Sequence, residues 1–245
     1  MDRQAQERYR RQLAIEEIGE TGQQKLAEAR VLVVGAGGLG SPVCLYLAAA
    51  GIGRLGIVEA DKVSLSNLNR QVLYSTSDVG KSKADAASER LRSLNPLVQV
   101  SIYEERFSGE KAFALAREYD VLVDATDNLE TRDLINRVCL TTGKPFFHGA
   151  VSSFYGQVMT VIPGRGPCWR CFMGDPLPTS RAQGVPVLGP VAGAVGSLQA
   201  LQVLKYFLGI GDLLVGKVLM FDGRSASCEL FTVARDPDCP ACRTL

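Results

Sequence analysis

Val31-Leu32-Val33-Val34-Gly35-Ala36-Gly37-Gly38-Leu39-Gly40, followed by the small and apolar run from Ser41 to Gly51, decides how the rest of the chain reads. A short β-favouring run leads into glycines at positions 35, 37 and 40 and then into a helix-forming segment, the order of a strand, a tight turn and a helix N-terminus. Glycines let the backbone turn sharply and approach a bound group, while the free N–H groups and dipole of the new helix attract phosphate. The pattern therefore predicts a nucleotide site. A G-x-G-x-x-G run alone is weak, and its bland reading is a doubly wound domain whose first turn is empty. The context strengthens it, because Glu59 closes the next apolar run, Leu55-Gly56-Ile57-Val58, where a carboxylate can reach a ribose hydroxyl.

With 245 residues, 46% of them hydrophobic, the chain has ample material for a buried core. Its formal charge of +1 is nearly balanced and its basic residues are spread out, which gives no reason to expect nucleic acid. Met1 to Gln12 is charged throughout and lacks the apolar core of a signal peptide, so a cytoplasmic protein is the default expectation. Gly189 to Leu208 is apolar enough to raise the question of a membrane, but Ser197, Gln199, Gln202 and Lys205 interrupt it. A core helix or subunit interface explains it better than a span.

Taken in order, residues Arg3 to Ile18 and Gly22 to Ala29 read as two helices, the first rich in arginine. That arginine face is either solvated or carries a guanidinium to an anionic site. After the glycine turn come a helix Leu39 to Ala50, the strand ending at Glu59, and a polar segment from Asp61 to Gln71 whose Ser and Asn residues disfavour a regular element. A loop of this kind at the carboxyl end of a strand lies where open α/β sheets bind ligands. Lys81 and Lys83 follow at the start of a helix Ala84 to Leu94, beside the phosphate pocket or as ordinary surface lysines. Further strands are expected at Val98 to Ile102, over the stretch Tyr119 to Asn128 and at Pro145 to Ala150, with helices at Glu110 to Glu118 and Thr131 to Thr142. Asp124 reads as structural or functional, whereas Asp127 and Asn128, at the mouth of their strand, are better placed for a metal or nucleotide.

Strands alternating with helices imply a parallel sheet with right-handed crossovers. Gln157 to Ile162, Lys217 to Phe221 and Glu229 to Val233 lack crossover helices between them and are expected as antiparallel additions to one edge. The fold is therefore read as α/β, a Rossmann-like doubly wound, mostly parallel sheet extended by antiparallel strands. It divides into N-terminal helices (1–29), a nucleotide-binding part (30–150) and an extension (151–245). Gly174 to Pro190 has almost no core-forming periodicity and is expected to be a mobile loop.

The seven cysteines include two C-x-x-C pairs, Cys168/Cys171 and Cys239/Cys242, each in a turn-like setting. An odd number, a cytoplasmic context and this pairing favour metal over disulfides. Four thiolates gathered tetrahedrally make a structural zinc site, although the gap between the pairs is longer than in zinc fingers, and redox dithiols are the alternative. Cys44, Cys139 and Cys228 are expected as small buried hydrophobes. His148 is the only histidine and is expected to be packed or hydrogen-bonded, which argues against a hydrolase triad. What remains is a phosphate turn with Glu59, Asn67, Arg70, Lys83 and Asp127. That set lacks a proton-transfer catalyst, and a reaction of an already ionised nucleophile at phosphorus does not need one.

In combination, G-A-G-G-L-G, S-N-L-N-R-Q, D-A-T-D-N, C-W-R-C and the terminal C-P-A-C, with a leading R-Y-R-R-Q, resemble the ThiF/MoeB/HesA adenylyltransferases, bacterial relatives of ubiquitin-activating enzymes. The resemblance runs from about Arg8 to Cys242. It implies a homodimer that uses Mg-ATP to adenylate the C-terminal glycine of a ubiquitin-like sulfur carrier protein ending in Gly-Gly, with release of pyrophosphate. By matching motif, Gly35, Gly37, Gly38 and Gly40 meet the phosphates, Glu59 holds the ribose, and Ser66, Asn67, Arg70 and Lys83 line the triphosphate site. Asp127 would hold magnesium with Asn128 beside it, Arg11 would reach the neighbouring subunit's triphosphate, and Cys168, Cys171, Cys239 and Cys242 match a structural zinc. One departure stands out: relatives carry a loop cysteine at a position that falls near Ala182, and here no cysteine lies between Cys171 and Cys228. Phe221 to Ser225 leans towards the thiamine-type members and Val195 to Gln199 is shared widely, so thiamine and molybdopterin carriers stand nearly equal. The competing readings are an NAD-dependent oxidoreductase, motivated by the glycine turn and Glu59, and a non-catalytic ATP-binding scaffold.

Overall fold

A computed structural model describes residues 1–174 and 185–243. Its centre is an eight-stranded sheet. The strands are β1 (Arg30–Val34), β2 (Arg54–Val58), β3 (Gln99–Tyr103), β4 (Val121–Asp124), β5 (Phe146–Ser152), β6 (Tyr155–Val161), β7 (Lys217–Asp222) and β8 (Ser227–Thr232). Their spatial order is β3-β2-β1-β4-β5-β6-β7-β8. The first five are parallel, and β6, β7 and β8 extend the sheet antiparallel from the β5 edge.

The apolar runs are continuous because both faces of these strands are covered. Val31 and Val33 of β1 point to one face, where they join Leu26 of helix α2 (Gly19–Glu28), Val43 and Leu47 of α3 (Gly40–Ala50), Leu91 of α4 (Lys83–Leu94) and Val195 and Val203 of α8 (Gly189–Leu208). Leu32 and Val34 point to the other, with Leu115 of α5 (Gly109–Arg117), Ile135 and Val138 of α6 (Leu129–Thr142) and Trp169 of α7 (Trp169–Met173). Each fully buried aliphatic side chain contributes about 1.5–3 kcal/mol of transfer free energy.

Helix α8 is long and apolar enough to cross a membrane. Here it lies against α3, β5 and β6, with half of its apolar window buried. Its buried amides are used inside: Gln199 Nε2 donates to the carbonyls of Asp124 and Phe147, and Gln202 Oε1 accepts from Leu214 N–H. It is a core helix over its inner face.

The N-terminal expectation needs adjusting. Helix α1 (Arg3–Leu13) stops five residues early, and α2 starts at Gly19. Only Ala5 and Tyr9 of α1 are buried, so further turns would bury nothing; Ala14 N–H closes the helix on Arg10 O and Gln12 O. The polar segment after β2 holds a single 3-10 turn, Leu65–Asn67, closed by a reciprocal capping box between Ser64 and Asn67. The one-turn helix α7 inside the first cysteine pair is too short to show a period in sequence. The expected loop Gly174 to Pro190 falls largely outside the described residues.

Candidate functional site

The crevice lies where the strand order reverses. From β1 the chain enters α3 on one face, and from β4 it enters α6 on the other, so the carboxyl ends of these neighbouring strands part and leave room for a ligand. The two turns touch. Gly35 has φ +94°, and a Cβ there would lie 2.7 Å from the Ala125 carbonyl oxygen; a Cβ on Gly40 would lie 2.1 Å from the Gly35 oxygen. Only glycine permits this approach. No side chain caps the N-terminus of α3.

Glu59, half-buried at the end of β2, braces the turn: one carboxylate oxygen accepts from Ala36 N–H (3.0 Å) and the other from Asp61 N–H (2.9 Å). Tyr74 fixes the same residue from behind, donating its hydroxyl to Ala36 O (2.8 Å). Gln71 is buried beneath Gly37 with its Oε1 unpaired. Arg70 runs past Gly38, its Cγ 3.5 Å from where a Cβ would stand, and its Nη1 donates to Ser66 O (2.9 Å) and Asn69 Oδ1 (3.0 Å). The Ser66 hydroxyl is exposed and shares a hydrogen bond with Ser64, while Asn67 Oδ1 accepts from Ser64 N–H. Lys83 is buried and donates from Nζ to Asp61 Oδ2 (3.0 Å), which overturns its reading as an ordinary surface lysine. Lys81 is exposed and pairs with Asp78. A continuous chain of contacts thus links Lys83, Asp61, Glu59, the glycine turn and the β4 turn.

Beyond β4, Asp127 is exposed, and its carboxylate has one long contact, 3.5 Å from Asn128 Nδ2. Asn128 caps α6 by accepting from Thr131 N–H (2.9 Å). A carboxylate is the hard oxygen donor that magnesium takes alongside nucleotide oxygens. Arg11 stands exposed in the last turn of α1 and, among the described residues, makes no hydrogen bond or ion pair with these groups.

Below the site lies a polar cluster only partly foreseen. Asp124 and His148 are opposed in the register of β4 and β5, both fully buried, with His148 Nδ1 2.7 Å from Asp124 Oδ2. Asp124 Oδ1 accepts from Thr126 N–H (3.0 Å) and Thr126 Oγ1 (2.6 Å), so this acid is structural. Burial pushes the Asp124 carboxyl up, but the His148 hydrogen bond and the Arg132 charge outweigh it and hold the group below its ordinary range. Burial pushes His148 down, against the pull of Asp124, and keeps the ring neutral. A neutral ring donating from Nδ1 presents Nε2 as acceptor to Gln157 Nε2, 3.0 Å away. Two aligned signals, an acid that ends β4 and a histidine opposite it within the parallel strand β5, point to this pair once the strand order is known.

On the far side the four paired cysteines converge, with their sulfurs all within 4.8 Å of one another. Sulfur separations of 3.8 Å (Cys168–Cys171), 3.7 Å (Cys168–Cys239) and 3.5 Å (Cys171–Cys242) match the edge of about 3.8 Å expected for four thiolates bound tetrahedrally at about 2.3 Å. Asn136 supports them, donating from Nδ2 towards Cys168 Sγ and accepting from Trp169 N–H. The set fits a metal. Cys44 and Cys139 are buried as expected, but Cys228 is exposed. It lies on β8, whose residues are exposed almost throughout because this strand ends the sheet and no helix covers it.

Comparison with known proteins agrees with this geometry. The family model described as ThiF matches residues 9–241. The chain is 47% identical over 244 residues to the sulfur carrier protein adenylyltransferase of Thermus thermophilus, covering 96% of this chain and 90% of that one. It is 42% identical over 240 residues to the adenylyltransferase and sulfurtransferase MOCS3 of Culex quinquefasciatus, again over 96% of this chain but only 55% of the longer relative. Among solved structures, E. coli MccB superposes with a TM-score of 0.84 at 25% identity, covering 96% of this chain and 72% of that one.

The buried histidine sets a pH dependence. A folded-state pKa lowered below the unfolded value means that the unfolded chain binds the proton first, so this contribution is present above about pH 6.5 and is lost as pH falls below it. Unfolding free energy measured by denaturant titration should therefore fall more steeply between about pH 6.5 and 5 for the parent than for His148→Asn. Equal slopes would contradict a buried neutral imidazole.

Proposed function

The chain belongs to the ThiF family, and from that premise we propose that it catalyses ATP-dependent adenylation of the C-terminal glycine of a ubiquitin-like sulfur carrier protein. The observation that carries the reading is the contact between the Gly35–Gly40 turn, which Glu59 braces, and the β4 turn at Ala125, which leads to Asp127. In the reaction a carboxylate oxygen of the terminal glycine attacks the α-phosphorus of ATP. The bond to the bridging oxygen of the β-phosphate breaks, pyrophosphate leaves with the bonding pair, and an acyl-adenylate forms.

No general base is required, because a terminal carboxyl with a pKa of about 3.3–3.7 is already ionised at neutral pH. The work is positioning and charge compensation. In this reading the backbone of Gly35, Gly37, Gly38 and Gly40 cradles phosphate and Glu59 holds the ribose. Ser66, Asn67, Arg70 and Lys83 bind the triphosphate, with Lys83 exchanging Asp61 for a phosphate oxygen. Asp127, with Asn128 beside it, would hold magnesium, which supplies charge neutralisation at the phosphates. These polyphosphate-binding groups favour ATP over a nicotinamide dinucleotide. We further read the protein as a cytoplasmic homodimer in which Arg11 serves the neighbouring subunit's triphosphate, because Arg11 is exposed and uncommitted to its own crevice. No membrane or nucleic acid enters this account. The loop position near Ala182 lies outside the described residues, and since the sequence has no cysteine between Cys171 and Cys228, no covalent carrier step is assigned to that loop.

We assign zinc to the four sulfurs, with a structural role. Four thiolates leave no open position for water, and the two pairs tie the segment after β8 to α7.

Incubated with Mg-ATP and a thiamine-type or molybdopterin-type carrier ending in Gly-Gly, the protein should yield carrier carrying one AMP on its terminal carboxylate by intact mass. Unmodified carrier in both cases, with ATP bound, would contradict the proposal. Arg11→Ala and Arg70→Ala proteins, each about 100-fold impaired by loss of a charge-stabilising contact, should regain activity when mixed, because a hybrid dimer rebuilds one complete site; no gain in confirmed hybrids would refute the shared site. Stripping zinc should lower the melting temperature by at least about 5 °C, about 2 kcal/mol or more for a chain of this size, and unchanged melting of metal-free protein would refute the structural role.

A further inference from the structure

We infer that His148 is a positioning residue for the nucleotide-metal site: acting through Asp124, it fixes the backbone from which Asp127 presents its carboxylate. The inference rests on the reading of Asp127 as a metal ligand.

Asp127 is held at both flanks and free at its tip. On one side the N–H, hydroxyl and carbonyl of Thr126 are all engaged. Its N–H donates to Asp124 Oδ1 (3.0 Å), as does its hydroxyl (2.6 Å), and its carbonyl, which forms the peptide with Asp127, accepts from Arg132 Nη2 (2.5 Å). On the other side Asn128 is pinned as the cap of α6. Among the described residues the Asp127 carboxylate itself makes only the 3.5 Å hydrogen-bond contact with Asn128. A ligand held this way is pre-organised through its main chain without its charge being neutralised beforehand.

The orientation of the Asp124 carboxylate is what aims Oδ1 at Thr126, and His148 sets that orientation by donating to Oδ2 at 2.7 Å. The competing donor is close: Arg132 Nε lies 3.6 Å from the same Oδ2 and is buried without a hydrogen bond. With the imidazole donor removed, a buried carboxylate oxygen would lose its hydrogen bond, which is unfavourable. Rotation towards Arg132 Nε relieves that cost and takes Oδ1 away from Thr126. The groups facing the imidazole hold it in its donor tautomer. Gln157 from β6 meets Nε2 at 3.0 Å, and Trp169 from α7 packs edge-on with ring centroids 6.1 Å apart. His148 therefore does more than fill space in the core.

The test uses Mn²⁺ as the probe, followed by electron paramagnetic resonance on the zinc-loaded protein with saturating ATP. Four proteins are compared: the parent, His148→Leu, which removes the donor, His148→Asn, whose amide stands where Nδ1 stood, and Asp127→Asn. We expect His148→Leu to bind Mn²⁺ about tenfold more weakly in the ATP complex, with metal-free ATP binding changed less than twofold, and His148→Asn to stay within about threefold of the parent. Parent-like Mn²⁺ binding by His148→Leu, or His148→Asn as weak as His148→Leu, overturns the inference. Parent-like binding by Asp127→Asn overturns the metal reading and the inference with it; weak binding by Asp127→Asn beside parent-like His148→Leu overturns the inference alone. If His148→Leu does not fold, Thr126→Val decides in its place. This near-isosteric, half-exposed change removes the hydroxyl contact to Asp124; about threefold weaker Mn²⁺ binding supports the inference and parent-like binding overturns it.

Discussion

The backbone of Gly35 lies against the carbonyl of Ala125, and everything at the active end of the sheet depends on that closeness. A single methyl group at position 35 would stand 2.7 Å from the Ala125 oxygen. Because the gap admits no side chain, the turn after β1 and the turn after β4 form the two lips of one crevice. The strand order makes such a crevice available, since neighbouring strands send their chains to opposite faces of the sheet. The glycines then decide how narrow it is.

The charged groups around this crevice are already occupied with one another, and this shapes how the site works. Glu59 is tied to two main-chain amides, Lys83 to Asp61, and Arg70 to its own loop. Such ties hold side chains near the positions that a nucleotide would claim, which lowers the ordering cost of binding. Asp127 differs: among the described residues the one hydrogen-bond contact of its carboxylate is with Asn128 Nδ2, at 3.5 Å. On the opposite side of the sheet, Asn136 and Trp169 join the sulfur cluster to the packing around His148. The cysteine cluster and the end of β4 are therefore neighbours in one core although their motifs are far apart in the chain.

Much of this was legible in the sequence. The strand and helix alternation from β1 to Ala150 appears as read because most of its β runs are apolar on both faces and α4 and α6 have clear starts at Ser82 and Asn128. The change to antiparallel strands followed from the loss of crossover helices. The cysteine pairs were visible through spacing alone. What could not be read depends on contacts between distant segments. The burial of Lys83 needs Asp61 from the other side of a loop, and the Asp124–His148 pair needs the register of β4 against β5. Cys228 was misread because strand composition does not reveal which strand ends the sheet, and β8 does. The early end of α1 was missed because Ala14-Ile15-Glu16-Glu17-Ile18 continues the helix-favouring composition past Leu13.

The central claim is that one crevice activates a carboxylate with ATP, and its most direct measurement is isotope exchange between pyrophosphate and ATP in the presence of magnesium. Adenylation is reversible at the enzyme, so label should enter ATP only when a carrier with an intact Gly-Gly terminus is present. Removing the last glycine should abolish exchange. Exchange at the same rate without any carrier, or none with either the thiamine-type or the molybdopterin-type carrier in protein that binds ATP, would contradict the account.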